Sequence, residues 1–381
     1  LKKALLVAGA VLALAATRCT LLDSLDYLHD GTGCDPAVKL QTDPKNCGVC
    51  GHDCQGGACQ ASVCQPVTLA SGWRTPFDLA LDSTSLYFTA GVGDADAGAG
   101  AVVRCSQDGC ATSMTVIAPH EDGPTRIAID ATRAYWTEFT TGEVHACPLT
   151  GCDGPPTVIA RGQPNAQGIA VDATSIYWDQ NVDPSGAVLS CPLAGCPASG
   201  PAVLAAVDGP GTLAVSGATL AFVANPHGAV DVCPVGGCPS GVTTLAGGGS
   251  SSYSPYFLVT YGDLVYWTDN EAAGGIYACA LTGCGDTAAQ IAPEVNPVGL
   301  AVDASGVYWS TDTNLGTIRH CPVSGCNGAS PDTLAVAQGH PFAIKLSDTS
   351  VFWTVRDSGT VLKIAKPARA ATTGDAAPAS P

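Results

Sequence analysis

Apolar and polar positions alternate along this chain in a pattern that returns seven times. An apolar run such as "GIAVD" at 168–172 is followed by a short polar turn and then by "IYW". The aromatic pair that ends each unit falls at Tyr87-Phe88, Tyr135-Trp136, Tyr177-Trp178, Ala221-Phe222, Tyr266-Trp267, Tyr308-Trp309 and Phe352-Trp353. The units are roughly 42 to 48 residues apart, the length of one four-stranded propeller blade. Pro76, Pro124, Pro164, Pro210, Pro255, Pro297 and Pro341 stand ahead of the pairs. After each pair come a variable loop, a strand-like run into a cysteine, a tight turn, a second cysteine and a closing run such as "PTVIA". These are predicted strands A, B, C and D of a blade.

The closing run matters most. "PVTLA" at 66–70 matches strand D but precedes the first strand A, whereas the last unit ends after its strand C, "GTVLKIAK" at 359–366. The prediction is an all-β, seven-bladed β-propeller closed by an N-terminal D-strand, with a small disulfide-rich N-terminal module. Its expected divisions are a leader (1–19), a spacer (20–33), a cysteine-rich module (34–64), the propeller (66–366) and a disordered tail (367–381). The 45 glycines and 27 prolines suit a turn-rich β chain.

The segments "LVYWTDN" at 264–270, "GVYWSTD" at 306–312 and "AYWTEF" at 134–139 resemble the YWTD class of propellers in lipoprotein-receptor ectodomains. There is similarity to NHL-type propellers as well. The receptor pattern has six blades and lacks the paired cysteines found here, so none of its ligand chemistry transfers. "NCGVCGHDC" at 46–54 with "GGACQASVC" at 56–64 resembles the cysteine-rich motif of the stigma-specific protein family.

Nineteen cysteines are too many for a reducing cytosol unless they hold metal. Six (Cys34, Cys47, Cys50, Cys54, Cys59, Cys64) form the N-terminal cluster, where three disulfides are expected and a zinc site using Cys47, Cys50 and His52 is the alternative. Twelve make C-x4-C pairs: Cys105/Cys110, Cys147/Cys152, Cys191/Cys196, Cys233/Cys238, Cys279/Cys284 and Cys321/Cys326. A glycine precedes each second cysteine, as a tight hairpin turn requires, so these are read as disulfides that clamp their own hairpins rather than redox or metal sites. Cys19 follows Lys2, Lys3 and an apolar run over 4–16, the pattern of an export signal. "AATRC" matches a lipobox in part, so Cys19 is either lipidated or close to an ordinary cleavage point. The expected location is extracytoplasmic, at the cell envelope or secreted.

A net charge of −17 argues against nucleic acid or an anionic membrane surface as partner; membrane contact is expected only through a lipid on Cys19. Asp82, Asp130, Asp172 and Asp303 sit in the A-to-B turns, where they are expected to cap the turn backbone. Binding residues are sought in the D-to-A and B-to-C loops, which meet around the channel mouth. Arg74, Phe77, Arg126, Asn165, Tyr256, Asn296, His340 and Phe342 lie there, suited to a peptide, a glycan or a small polar metabolite. Glu138, Asp179, Asp269 and Asp312 follow the aromatic pairs and are the candidate metal set. Asp94 and Asp96 make half a calcium loop, and His120-Glu121-Asp122 is an isolated cluster. No nucleophile elbow, zinc-protease motif or phosphate loop occurs. The expected function is a monomeric recognition or scaffolding protein for a protein or glycan, with no cofactor unless calcium. The alternatives are a lactonase- or lyase-type enzyme with a metal site, and a structural module without a specific ligand.

Overall fold

The computed structural model describes residues 38–91, 100–225, 228–247, 254–271, 274–284 and 288–368. The leader, Cys19, Cys34, Asp94, Asp96 and the tail beyond 368 lie outside these. Among the described residues there is no α-helix. Val67–Lys366 forms one compact unit and the N-terminal module belongs to another.

The module is held by sulfur. Its hairpin, β1 (Cys59–Gln60) and β2 (Val63–Cys64), is tied back by Cys47–Cys59 and Cys54–Cys64, and Cys50 is also disulfide-bonded. Four of these cysteines are its buried apolar residues, in keeping with a segment too short to build a core from larger side chains. Disulfide formation leaves Cys47 no thiolate for zinc, and His52 instead bonds the Cys47 carbonyl at 2.7 Å.

Strand β3 (Val67–Ala70) opens the propeller. β4 (Leu79–Leu81), β5 (Ser85–Ala90), β6 (Gly100–Ser106) and β7 (Thr115–Glu121) then form blade 1 as an antiparallel sheet in chain order. The same order repeats in blades 2 to 6, within 124–160, 169–206, 210–246, 255–293 and 297–335. Blade 7 has three strands of its own, and β3 supplies the fourth by pairing Val67 with Lys363 and Ala70 with Val361 on Thr360–Ala365. Seven four-stranded blades result.

The aromatic pairs show why the blades stack. Neighbouring residues of a strand point to opposite faces. The first aromatic therefore packs on the next blade and the second on the previous one: Tyr87 with Trp136, Tyr135 with Trp178, Tyr177 with Phe222, and Tyr266 with Trp309. Phe352 meets Phe88 in the same way and closes the circle, with Leu69 and Ala70 of β3 in that cluster. All of these rings are at most 2% exposed.

The paired cysteines bond as Cys105–Cys110, Cys147–Cys152, Cys191–Cys196, Cys233–Cys238, Cys279–Cys284 and Cys321–Cys326, with Cα atoms 4.9–5.6 Å apart. These bridges clamp their own hairpins and also reach beyond them. The first cysteine of each pair lies on strand C, whereas Cys110, Cys196 and Cys284 belong to no strand and lean on the preceding blade. Cys110 is buried in the cluster of Leu69 and Ala70, which belong to blade 7. Half-buried Cys196 packs with Ile159 and Ala160 of blade 2, and half-buried Cys284 with Leu245 of blade 4. The cause is apolarity: a bridged cysteine side chain has no charge or thiol S–H to hydrate, so the sulfur seals the seam between blades.

Candidate functional site

The loop end of the channel is shaped by an irregularity in strand A. In blades 2, 4, 5, 6 and 7 the A–B register shifts just after the proline, for example between Pro124 and Ile127. The amide two residues after the proline then needs a new partner, and a hydroxyl directly after the aromatic pair accepts from it. Phe257, Gly299 and Ala343 donate in this way to Thr268, Ser310 and Thr354, and Asp78 of blade 1, just ahead of its strand A, donates to Thr89, all at 3.0–3.1 Å. The same hydroxyls donate to a carbonyl of the next blade: Thr89 to Thr125, Thr137 to Gln167, Thr268 to Val298, Ser310 to Phe342, and Thr354 to Phe77. These bridges fix the loops relative to one another. The residue ahead of the proline is left-handed in Thr75, Gly123, Gly209, Asn296 and His340, a conformation that favours Gly and Asn. The turn conformation thus accounts for Asn296 without a ligand.

Above this ring the predicted binding residues divide. Phe77, Arg126, Tyr256, His340 and Phe342 come together. The Arg126 guanidinium reaches from blade 2 across the channel and lies 4.3 Å from the Phe257 ring, 5.1 Å from Phe77 and 5.3 Å from Phe342. Tyr256 meets Phe342 edge-on at 6.3 Å. Arg356 stacks over Phe342 at 4.6 Å and grips both oxygens of Asp312 at 2.7 Å, and His340 binds the same carboxylate at 2.6 Å. Residues of five blades thus form one aromatic and charged cluster that plugs the loop end. Arg74 lies with Arg356 on a shallow hollow between blades 1 and 7. Asn165 is exposed and bonds the Asn181 carbonyl, apart from the plug.

Beneath the plug is a cavity of about 430 Å³ lined by strands A, including Asp78, Arg126, Ile169, Leu213 and Phe257. At the turn end its lining residues Leu81, Ile129, Val171 and Val215 are half-buried.

The four candidate metal acids do not meet. Glu138 and Asp269 stand two residues after the aromatic pair, Asp179 one and Asp312 three, and each is taken up by partners of its own. Asp179 accepts the Gln167 and Gly168 amides at 2.7 and 2.8 Å, Asp269 accepts the Ser254 amide at 2.9 Å, and Asp312 is taken up by Arg356 and His340. Among the described residues, only Glu138 belongs to a group with potential ligand atoms within 4.8 Å of one another and no disulfide, together with Glu121 and His145. That group has another explanation. The Trp136 indole donates to Glu121 at 2.9 Å, and Trp178, Trp309 and Trp353 donate likewise to Gln163, Glu294 and Gln338. Each acceptor lies fifteen residues before its tryptophan, so Glu121 is blade 2's copy of a repeated staple. Burial and the adjacent Glu121 push Glu138 up to about 10, so it is a neutral acid beside an anion. Burial opposes the charge on His145, but its bonds to Glu121 and Glu143 at 3.0 and 2.8 Å outweigh this and raise its pKa.

The turn acids behave as expected and carry an extra bond. Asp82, Asp130 and Asp172 accept two turn amides each and also the hydroxyl of Tyr87, Tyr135 and Tyr177 at 2.7–2.8 Å. Sequence reasoning missed Asp78, Phe257, His145 and Arg356. Phe257 and Asp78 were detectable, since they hold the same position relative to the proline as Arg126.

No family model and no curated protein matches the chain. Solved structures do. Virginiamycin B lyase from Staphylococcus aureus aligns at TM-score 0.62 and 12% identity, over 80% of this chain and 99% of that one. A streptogramin B lyase structure aligns at 0.60 and 13%, over 79% and 96%. The WD40 propeller domain of Doa1 aligns at 0.59 and 11%, over 80% and 98%. At such identities the likeness shows the fold, a β-propeller, and no activity. The abundant disulfides point to an oxidising, extracytoplasmic compartment.

Proposed function

We propose that this chain is an exported recognition protein of the cell envelope, lipid-anchored at Cys19, whose propeller presents its loop face to a protein partner. The observation that carries the reading is what that face exposes around the plug. Phe139, Val295, Leu315 and Val336 lie on D-to-A or B-to-C loops and Tyr256 at the loop end of strand A in blade 5, and each is 39–74% exposed. Exposed apolar residues gathered on the connecting loops of one end, rimmed by Arg74, Asn165 and Arg356, suit a protein surface better than a glycan. The relation to YWTD and NHL propellers, and that of the N-terminal module to the stigma-specific motif, belong to the same reading. The fixed loops favour a preformed binding surface, because the inter-blade bridges reduce the ordering that binding would otherwise require.

The test is a binding screen of the oxidised protein against envelope proteins and glycans, repeated with two variants. Tyr256→Ser combined with Leu315→Ser is expected to weaken a captured protein at least tenfold. Tyr261→Ser, at the other end of strand A beside the A-to-B turn, is expected to leave it unchanged. Equal binding by all three proteins would remove the loop face from the account.

A further inference from the structure

Asp78 and Arg126 hold the same strand A position in adjacent blades, two residues after Pro76 and Pro124. They are only 4% and 5% exposed, and both border the channel cavity of about 430 Å³. Neither is satisfied by the protein. Asp78 Oδ2 accepts the Ile127 amide at 3.1 Å, but Oδ1 has no partner, and Nε and Nη1 of Arg126 have none. Phe77, Phe257 and Phe342 meet the guanidinium with ring faces, which attract its charge but leave its N–H groups unbonded. A buried acceptor and buried donors left open in one cavity make a dipolar site, since buried polar groups ordinarily find partners.

Most of the remaining lining is apolar, with Thr212, Thr260 and half-buried Lys345 as its polar members. Ile127, Ile169, Leu213 and Leu258 are apolar lining residues, and Ile129 and Val215 line it toward the half-buried turn end. Its volume falls within the range of small-molecule sites. A buried guanidinium and a buried carboxyl group with open polar atoms in one cavity favour a ligand carrying both charges over a simple anion or cation.

We infer that the channel binds a small zwitterion of the α-amino-acid type, with its carboxylate on Arg126, its ammonium on Asp78 and its apolar side chain along the lower wall. The ligand enters from the turn end, because the plug closes the loop end. This site is separate from the loop-face partner surface, and Tyr256 and Leu315 do not line it.

Isothermal titration of the full-length oxidised protein tests this, with leucine, glycine, glutamate and lysine as whole probes and acetate and ethylammonium as its two halves. Leucine is expected to bind best, with each half at least tenfold weaker. Arg126→Gln and Asp78→Asn are each expected to reduce leucine binding at least tenfold, and Arg126→Lys to reduce it less than Arg126→Gln. Absence of binding by all four amino acids overturns the proposal. Acetate binding as well as leucine, or binding untouched by Asp78→Asn, also overturns it by leaving a simple anion site. Should the variants fail to fold, the wild-type comparison of leucine with its halves decides alone.

Discussion

Asp179 stands where Thr89, Thr137, Thr268, Ser310 and Thr354 stand in other blades, directly after the aromatic pair. It performs half of their task, accepting the Gly168 amide as they accept theirs. The other half, donation to the next blade, needs a proton, and its Oδ2 is buried without a partner. Burial pushes Asp179 up to about 8 even though the Gln167 and Gly168 amides pull the other way. A folded pKa above the unfolded one means the acid supports the fold while it is neutral. That support is complete below about 4 and is lost as pH rises from there to about 8. By position, its target is the Gly211 carbonyl. Asp179→Thr supplies the hydroxyl permanently, so it should stabilise the protein at pH 8 by on the order of 2 kcal/mol and much less at pH 4. Thermal unfolding of both proteins across that range checks this, and a difference independent of pH would refute the neutral acid.

Glu138 makes the complementary case. It is already neutral at pH 7, so Glu138→Gln should change stability by less than about 1 kcal/mol, whereas Glu121→Gln also removes the anion that His145 faces and should cost more. A chemical denaturation series on the two variants orders them. From sequence alone Glu138 resembles a metal ligand, because an acid after an aromatic pair carries no mark of its protonation state. That state comes from burial and then from Glu121, seventeen residues away and brought alongside by the fold.

Among elements, the C-to-D hairpins tie each blade to the one before it through the backbone as well as through sulfur. The amide of the second cysteine donates to strand D of the preceding blade: Cys152 to Ile117 at 3.0 Å, Cys238 to Leu204 at 2.8 Å and Cys326 to Ile291 at 3.1 Å. The turn must approach closely for this. A Cβ on Gly325, whose φ is +87°, would stand 3.2 Å from the Ile291 carbonyl. Replacing Cys147 and Cys152 by serine should cost about 2 kcal/mol by the loop-entropy estimate for so short a loop. It should also speed amide exchange in the strand holding Ile117, not only in its own hairpin. Exchange confined to the hairpin would mean the disulfide acts locally. Each hairpin could be read in the sequence, since the glycine and cysteine spacing is local. The contact of Cys110, Cys196 or Cys284 with the preceding blade could not, because it depends on how the blades stack.

Closure of the ring was legible because it rests on a count: one D-strand too many at the start and one too few at the end. The seventh interface then repeats the others through Phe352 and Phe88. Deleting Val67–Ala70 strips the edge of Thr360–Ala365 and uncovers Phe88, and should replace one cooperative calorimetric transition by a broader one at lower temperature. An unchanged transition would show that the ring does not need its clasp. The plug was only half legible. Its members could be nominated from the proline positions, but Arg126 crossing the channel to Phe257 joins blades 2 and 5, which no local pattern links.

The proposed role of the propeller is recognition of a partner without a bound ion. Glu121, Glu138 and His145 are the described group best placed to contradict it. Metal content and thermal unfolding of the oxidised protein should be measured after chelator treatment and then during calcium and zinc titration. No stoichiometric ion and no change in unfolding temperature are expected, since Glu138 is neutral and His145 is held between two carboxylates. One equivalent of ion that raises the unfolding temperature and is lost in Glu138→Gln would contradict that role, and would restore the enzymatic reading in blade 2.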